Sequence, residues 1–140
     1  MLNDILYVED NLDHAELVLR QLERRNLRER VMHIEDGERA IAYLDGVSTG
    51  DSARPRLVLL DLRLPRVDGM DVLSHIKSSR LLRDIPVVIF TTSTTQQDMT
   101  EAYERYANSY LVKPDDLTEL NHVLDEVSHY WLDTNRRSSS

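Results

Sequence analysis

Short apolar runs alternate with amphipathic stretches along the chain, about five times over. Ile5-Leu6-Tyr7-Val8 reads as a first strand. Leu12, Ala15, Val18, Leu19 and Leu22 then recur at helical spacing. Val31-Met32-His33-Ile34 predicts a second strand, and Asp36-Gly37 opens a helix carrying Ala40, Ile41 and Leu44. The stretch Gly46 to Pro55 is polar and rich in Gly, Ser and Pro, so it reads as a long exposed loop. Leu57-Val58-Leu59-Leu60 is wholly apolar, as a central strand covered on both faces must be. Val72, Leu73 and Ile76 mark a third helix after Asp68-Gly69.

Pro86-Val87-Val88-Ile89-Phe90 is a further buried strand, with proline tolerated at its start. Met99, Ala102, Tyr103 and Tyr106 give a fourth helix one stripe. Ser109-Tyr110-Leu111-Val112 is the last strand. A final helix is predicted from about Asp116 to about Trp131, with Leu117, Leu120, Leu124, Val127 and Trp131 inward, and with Val123 and Tyr130 widening the stripe. The alternation predicts an α/β protein built on a doubly wound parallel sheet. One domain over residues 1–134 and a disordered polar tail over 135–140 are expected.

In open α/β sheets the ligand site lies beyond the carboxyl ends of the strands. The residues that follow the strands are all polar. Glu9-Asp10 follow the first, Asp61 the third, Thr91 and Thr92 the fourth, and Lys113-Pro114 the fifth. Each has an ordinary explanation alone, as a turn residue, a helix cap or a loop dipeptide. Their joint order is what points to a site. Carboxylates gathered at one edge repel one another and stay ionised only beside a cation. Oxygen-only ligation points to a hard ion, Mg²⁺. Lys113 and the Thr91 hydroxyl suit phosphate oxygens. Asp61, on the central strand, is the carboxylate placed to attack phosphorus and form an aspartyl phosphate.

Composition narrows the field. Net charge is −8, which argues against a nucleic-acid surface and against docking on an anionic membrane. There are no cysteines, so disulfides, Cys-ligated zinc and thiol catalysis are excluded. No signal peptide is visible and no apolar run spans a bilayer, so a cytoplasmic protein is expected.

The motifs Tyr7-Val8-Glu9-Asp10-Asn11, Leu60-Asp61-Leu62-Arg63-Leu64-Pro65 with Asp68-Gly69, Phe90-Thr91-Thr92-Ser93 and Tyr110-Leu111-Val112-Lys113-Pro114 resemble those of CheY-like receiver domains of two-component signalling. The resemblance covers about Ile5 to Trp131. It implies a flavodoxin-like (βα)5 fold with strand order 2-1-3-4-5. It further implies that Asp61 takes phosphate from the phosphohistidine of a sensor histidine kinase. Mg²⁺ would be held by Asp10, Asp61 and the Arg63 backbone carbonyl, with Glu9 acting through water. Thr91 and Lys113 would bind the phosphoryl oxygens, and Tyr110 would be the switch aromatic.

Two departures stand out. Glu9 replaces a more frequent Asp. Arg63 either pairs with or shields the phosphate, or is a solvated side chain whose carbonyl alone matters; the sequence leaves both open. More narrowly, the loop at Gly46–Pro55 and the run Ile85 to Ser93 resemble small regulators paired with bacterial and cyanobacterial phytochrome kinases. Without an output domain in the sequence, output is expected through contacts with a downstream protein, or as a phosphate shuttle or sink. The last helix and the Tyr103/Tyr106 face are either core packing with a terminal clasp or a homodimer contact.

Other functions fit less well. A Mg²⁺-dependent aspartyl-phosphate hydrolase of the haloacid dehalogenase type needs an acid where Arg63 stands. A flavodoxin needs a phosphate loop where Glu9-Asp10 would repel FMN. A receiver that has lost phosphorylation would not keep the acceptor, acids and lysine intact. A phosphoryl-accepting regulator, not an enzyme, is therefore expected. The five histidines carry no metal spacing and receive no role.

Overall fold

The computed structural model describes residues 3–137. Its five strands are β1 (Ile5–Val8), β2 (Val31–Ile34), β3 (Leu57–Leu60), β4 (Val87–Thr91) and β5 (Ser109–Val112). They form one parallel sheet in the order β2-β1-β3-β4-β5. The helices are α1 (Leu12–Arg24), α2 (Gly37–Thr49), α3 (Gly69–Lys77), α4 (Gln96–Glu104) and α5 (Leu117–Ser128). This is the flavodoxin-like arrangement that the motifs implied.

Alternation along each strand divides the core in two. Leu6, Val8, Val58, Leu60, Val87 and Ile89 face α2, α3 and α4, represented by Ala40, Leu44, Leu73, Ile76 and Ala102. Ile5, Tyr7, Leu57, Leu59, Val88 and Phe90 face α1 and α5 through Ala15, Val18, Leu22, Leu120 and Leu124. The central strands are therefore apolar on both sides but for the buried Tyr7 hydroxyl, and their other polar side chains stand at or just beyond their carboxyl ends.

Four helices start on a side-chain cap. Asn11 accepts from the His14 amide, Asp36 from Arg39, Thr95 from Asp98 and Asp116 from Thr118. Each such cap contributes about 1 kcal/mol.

Several local expectations change. The loop expected from Gly46 begins later, because α2 continues to Thr49. Gly50, not Gly46, takes the left-handed conformation, at φ 89°. The space beside Gly46 is filled by Ser52, whose Oγ would lie 2.3 Å from an added Cβ. The chain thus folds back on the helix instead of leaving it.

Tyr106 is not on a buried stripe. α4 ends at Glu104, and Tyr106 has φ 72° and is 74% exposed. Tyr103, Leu12 and Leu117 are also exposed, although helical spacing placed them inward. Strand β4 begins at Val87, since Pro86 has no N–H to give the ladder. The last helix changes at His129 to a π-helical turn, His129–Thr134, which buries Leu132. Of the expected tail, Asn135 still donates its amide to Tyr130; residues 138–140 lie outside the described residues. Among the described residues no helix is long and apolar enough to cross a membrane.

Candidate phosphoacceptor site

Sheet hydrogen bonding continues one residue past the strands and fixes the backbone of the site. The Glu9 amide donates to Ile34 at 3.0 Å, Asp61 to Val8 at 3.1 Å and Lys113 to Thr91 at 2.7 Å. The three side chains consequently meet at the carboxyl edge between β1, β3 and β5.

Lys113 is the hub. Its Nζ donates to Glu9 Oε1, to Asp61 Oδ2 at 2.9 Å and to the unprotonated Nδ1 of His14 at 3.2 Å. An ammonium has three hydrogens, and here each has an acceptor. The other Asp61 oxygen, Oδ1, accepts from the Leu62 amide at 2.7 Å, which sets the carboxylate plane. Glu9 Oε2 accepts from the Asn11 amide at 3.0 Å. Its backbone carbonyl accepts from His33 Nε2 at 2.9 Å, so that ring carries its proton there.

Glu9 and Asp61 are buried and Asp10 is exposed. Each offers a carboxylate oxygen within 4.8 Å of the others. Burial pushes the Glu9 carboxyl up to about 7, with the Asp61 charge adding to it and the Lys113 hydrogen bond opposing it. The negative potential extends to Tyr7, whose phenol is raised by burial and then by Glu9 and Asp61. One ammonium does not balance three carboxylates. The donor set is all oxygen, partly open to water through Asp10, and fits a hard divalent cation.

The turn after Asp61 rests on glycine. The Gly69 amide donates to the Leu62 carbonyl at 2.8 Å. A Cβ on Gly69 would lie 2.1 Å from the Asp61 carbonyl oxygen and 2.6 Å from Leu62 Cα. At the far side of the same turn, a Cβ on Gly37 would lie 1.8 Å from the Val67 carbonyl oxygen. Only glycine permits either approach.

Thr91 is buried at the end of β4, while Thr92 is exposed. Thr91 Oγ1 accepts from the Ser93 amide at 3.3 Å. Tyr110, half-buried on β5, donates its hydroxyl to the Ser93 carbonyl at 3.0 Å. The Arg63 side chain is not simply solvated. Its Nη2 donates to Asp98 Oδ2 at 2.7 Å, and the Ser93 hydroxyl donates to the same oxygen at 2.5 Å. The Ser93 hydroxyl and then Arg63 hold the Asp98 carboxyl below its ordinary value, against its burial.

Of the strand-end residues that the sequence singled out, Glu9, Asp10, Asp61 and Lys113 thus converge, Thr91 is tied to Lys113 through its backbone carbonyl, and Thr92 is exposed. Reading the sequence alone missed His14, His33, Ser93, Asp98 and the role of Gly69. A signal existed for two of them. His14 lies one helical turn beyond Asp10, and Asp98 is the third residue after the Thr95 cap.

The family model of the response regulator receiver domain matches residues 5–125. The chain is 48% identical over 132 residues to the probable methanogenesis regulatory protein FilR2 of Methanothrix harundinacea, covering 94% of this chain and 85% of that one. It is 37% identical over 131 residues to response regulator Rcp1 of Synechocystis, covering 93% and 89%. The crystal structure of the Mn²⁺-bound form of Rcp1 superposes with a TM-score of 0.86 at 36% identity, over 96% of this chain and 98% of that one. That of the phosphorylated cyanobacterial phytochrome response regulator RcpA superposes with a TM-score of 0.90 at 34% identity, over 99% and 100%. Sheet order, strand-end chemistry and these similarities agree: the chain belongs to the response regulator receiver family, whose members accept a phosphoryl group in two-component signalling.

Proposed function

We propose that Asp61 is the phosphoacceptor and that the donor is the phosphohistidine of a sensor histidine kinase of the phytochrome type. The observation that carries this is the convergence of Lys113 Nζ on Asp61 Oδ2, beside the Glu9–Asp10–Asp61 oxygen cluster. A carboxylate oxygen of Asp61 attacks phosphorus, the P–N bond breaks, and the departing imidazole nitrogen keeps the electron pair. The new bond is an acyl phosphate. Lys113 turns a hydrogen toward the phosphoryl oxygens, and the Thr91 hydroxyl donates to another. Asp10, Asp61 and the Arg63 carbonyl would hold Mg²⁺, with Glu9 acting through water. Mg²⁺ would offset the charge that builds on the phosphoryl oxygens.

The chain takes up one phosphoryl group per molecule and is not a turnover catalyst. Thr91 and Tyr110 transmit the change to a surface that contacts a downstream protein in the cytoplasm. The phytochrome link rests on the similarity to Rcp1 and RcpA. Self-association through α4 and α5 belongs to the same reading, since Tyr103, Tyr106, Leu117 and Tyr130 are exposed there.

The test is intact mass after incubation with acetyl phosphate and Mg²⁺. One added phosphoryl group is expected, with none in Asp61→Asn. Equal uptake by the variant overturns the assignment. Sedimentation with and without beryllofluoride tests self-association, and a monomer under both conditions removes that part.

A further inference from the structure

Ser93 and Asp98 join the acceptor turn to the segment that must move. Arg63 leaves the chain two residues after Asp61. Its side chain is 61% exposed, yet it ends on a carboxylate that is only 12% exposed. Asp98 Oδ2 is also the acceptor for the Ser93 hydroxyl. Ser93 in turn spends its amide on Thr91 Oγ1 and its carbonyl on the Tyr110 hydroxyl. One serine therefore touches both groups that respond to phosphate, and one aspartate fastens that serine to the arginine beside the acceptor.

We propose that the Arg63–Asp98 ion pair is a latch that holds the segment between β4 and α4 in its resting position and keeps the Arg63 guanidinium away from Asp61 until phosphorylation opens it. This rests on the reading of Asp61 as the phosphoacceptor. Asp98 carries one negative charge; on phosphorylation the single negative charge of Asp61 gives way to about −1.5 to −2 spread over three phosphoryl acceptor oxygens. Guanidinium pairs with phosphate through two parallel hydrogen bonds. Arg63 then has a better partner two residues from its own Cα. Once Asp98 loses Arg63, the bonded pair Ser93 and Asp98 is no longer fastened to the turn after Asp61. Thr91 can turn its hydroxyl to the phosphoryl group, and Tyr110 is released from the Ser93 carbonyl. Asp98 and Arg63 act as positioning residues in this scheme. A resting state stabilised by the pair lowers the apparent affinity for a phosphoryl mimic by the fraction of molecules that remain latched.

The experiment is equilibrium binding of beryllofluoride with Mg²⁺ to the unaltered chain, Arg63→Gln, Asp98→Asn and the double variant. Asp98→Asn keeps an oxygen for Ser93 and removes the charge that holds Arg63. It is expected to bind about two- to five-fold more tightly, the range of a partly exposed ion pair. That gain should vanish in the Arg63→Gln background. An unchanged affinity, or the same gain in both backgrounds, overturns the latch. A second measurement needs no variant: the Arg63 guanidinium ¹⁵N signals should shift when beryllofluoride binds the unaltered chain, and signals that stay put overturn it. Binding that survives in Asp61→Asn would instead remove the phosphoacceptor reading, and the latch with it.

Discussion

Lys113 Nζ and Asp61 Oδ2 lie 2.9 Å apart, joined across two strand ends and 52 residues of sequence. The pair is buried, with Glu9 as a second carboxylate on the same ammonium. Lys113→Ala leaves two acids facing each other without their cation. Breaking a buried pair from one side costs about 3–5 kcal/mol, and the lower end is expected because Glu9 can take a proton. Urea unfolding should show this loss without Mg²⁺ and a clear recovery with it. A variant as stable as the parent in metal-free buffer would remove the charge-balance argument.

Glu9 sets a pH dependence for metal binding. Its carboxyl is raised to about 7 in the fold from an ordinary 4.5, chiefly by burial. Between those values the folded chain holds a proton that the unfolded chain has lost. Metal-free stability therefore falls as pH rises through that window, and the penalty is complete above it. Binding a divalent cation favours the ionised form. Mg²⁺ affinity should climb with pH up to about 7 and then level off, with proton release visible by calorimetry in buffers of different ionisation enthalpy. A flat affinity between about pH 5 and pH 8 contradicts this.

Gly69→Ala should separate the acceptor from its support. The added methyl cannot fit against the Asp61 carbonyl without backbone movement. Overpacking of this kind costs about 1–3 kcal/mol. Phosphoryl uptake should slow towards the roughly hundredfold that a 1 Å misplacement costs. Uptake at the parental rate in a folded Gly69→Ala protein would show that the turn can adjust.

Tyr110→Phe removes one hydrogen bond and leaves the ring. The Ser93 carbonyl loses its donor, at a cost of about 0.5–1.5 kcal/mol. Hydrogen exchange should quicken over residues 92–98 and stay unchanged in β1 and β3. Unchanged exchange over 92–98 would mean that Tyr110 does not restrain the segment.

Much of this protein is legible in its sequence because burial on both sheet faces leaves a plain mark. Leu57 to Leu60 is apolar throughout, and its strand has the expected bounds. The polar residues that end such runs, Glu9, Asp61, Thr91 and Lys113, stand out for the same reason. Helical spacing was less secure at helix ends. Leu12, Leu117 and Tyr106 continue a stripe in sequence, but the first or last turn has already left the core. The α2 terminus differs because two glycines compete there, and the left-handed cap forms at Gly50 while Gly46 packs against Ser52 inside the helix. Partners such as Arg63–Asp98, His14–Lys113 and His33–Glu9 have no periodicity, and they exist only once the sheet brings distant strand ends together.

The glycines at 37 and 69 clamp the acceptor turn from opposite ends, each against a backbone carbonyl that leaves no slack. In the proposed function the turn that receives the chemical event is thus the stationary side of the machine, an anvil. Between Thr91 and the Thr95 cap, the tract after β4 is held by the side-chain hydrogen bonds of Ser93, Thr91 and Tyr110, which can be exchanged without breaking the chain's own packing. If Asp61 takes the phosphoryl group as proposed, the way open to the resulting movement runs outward through Ser93 to α4, and a partner that reads the signal would read it on that flank.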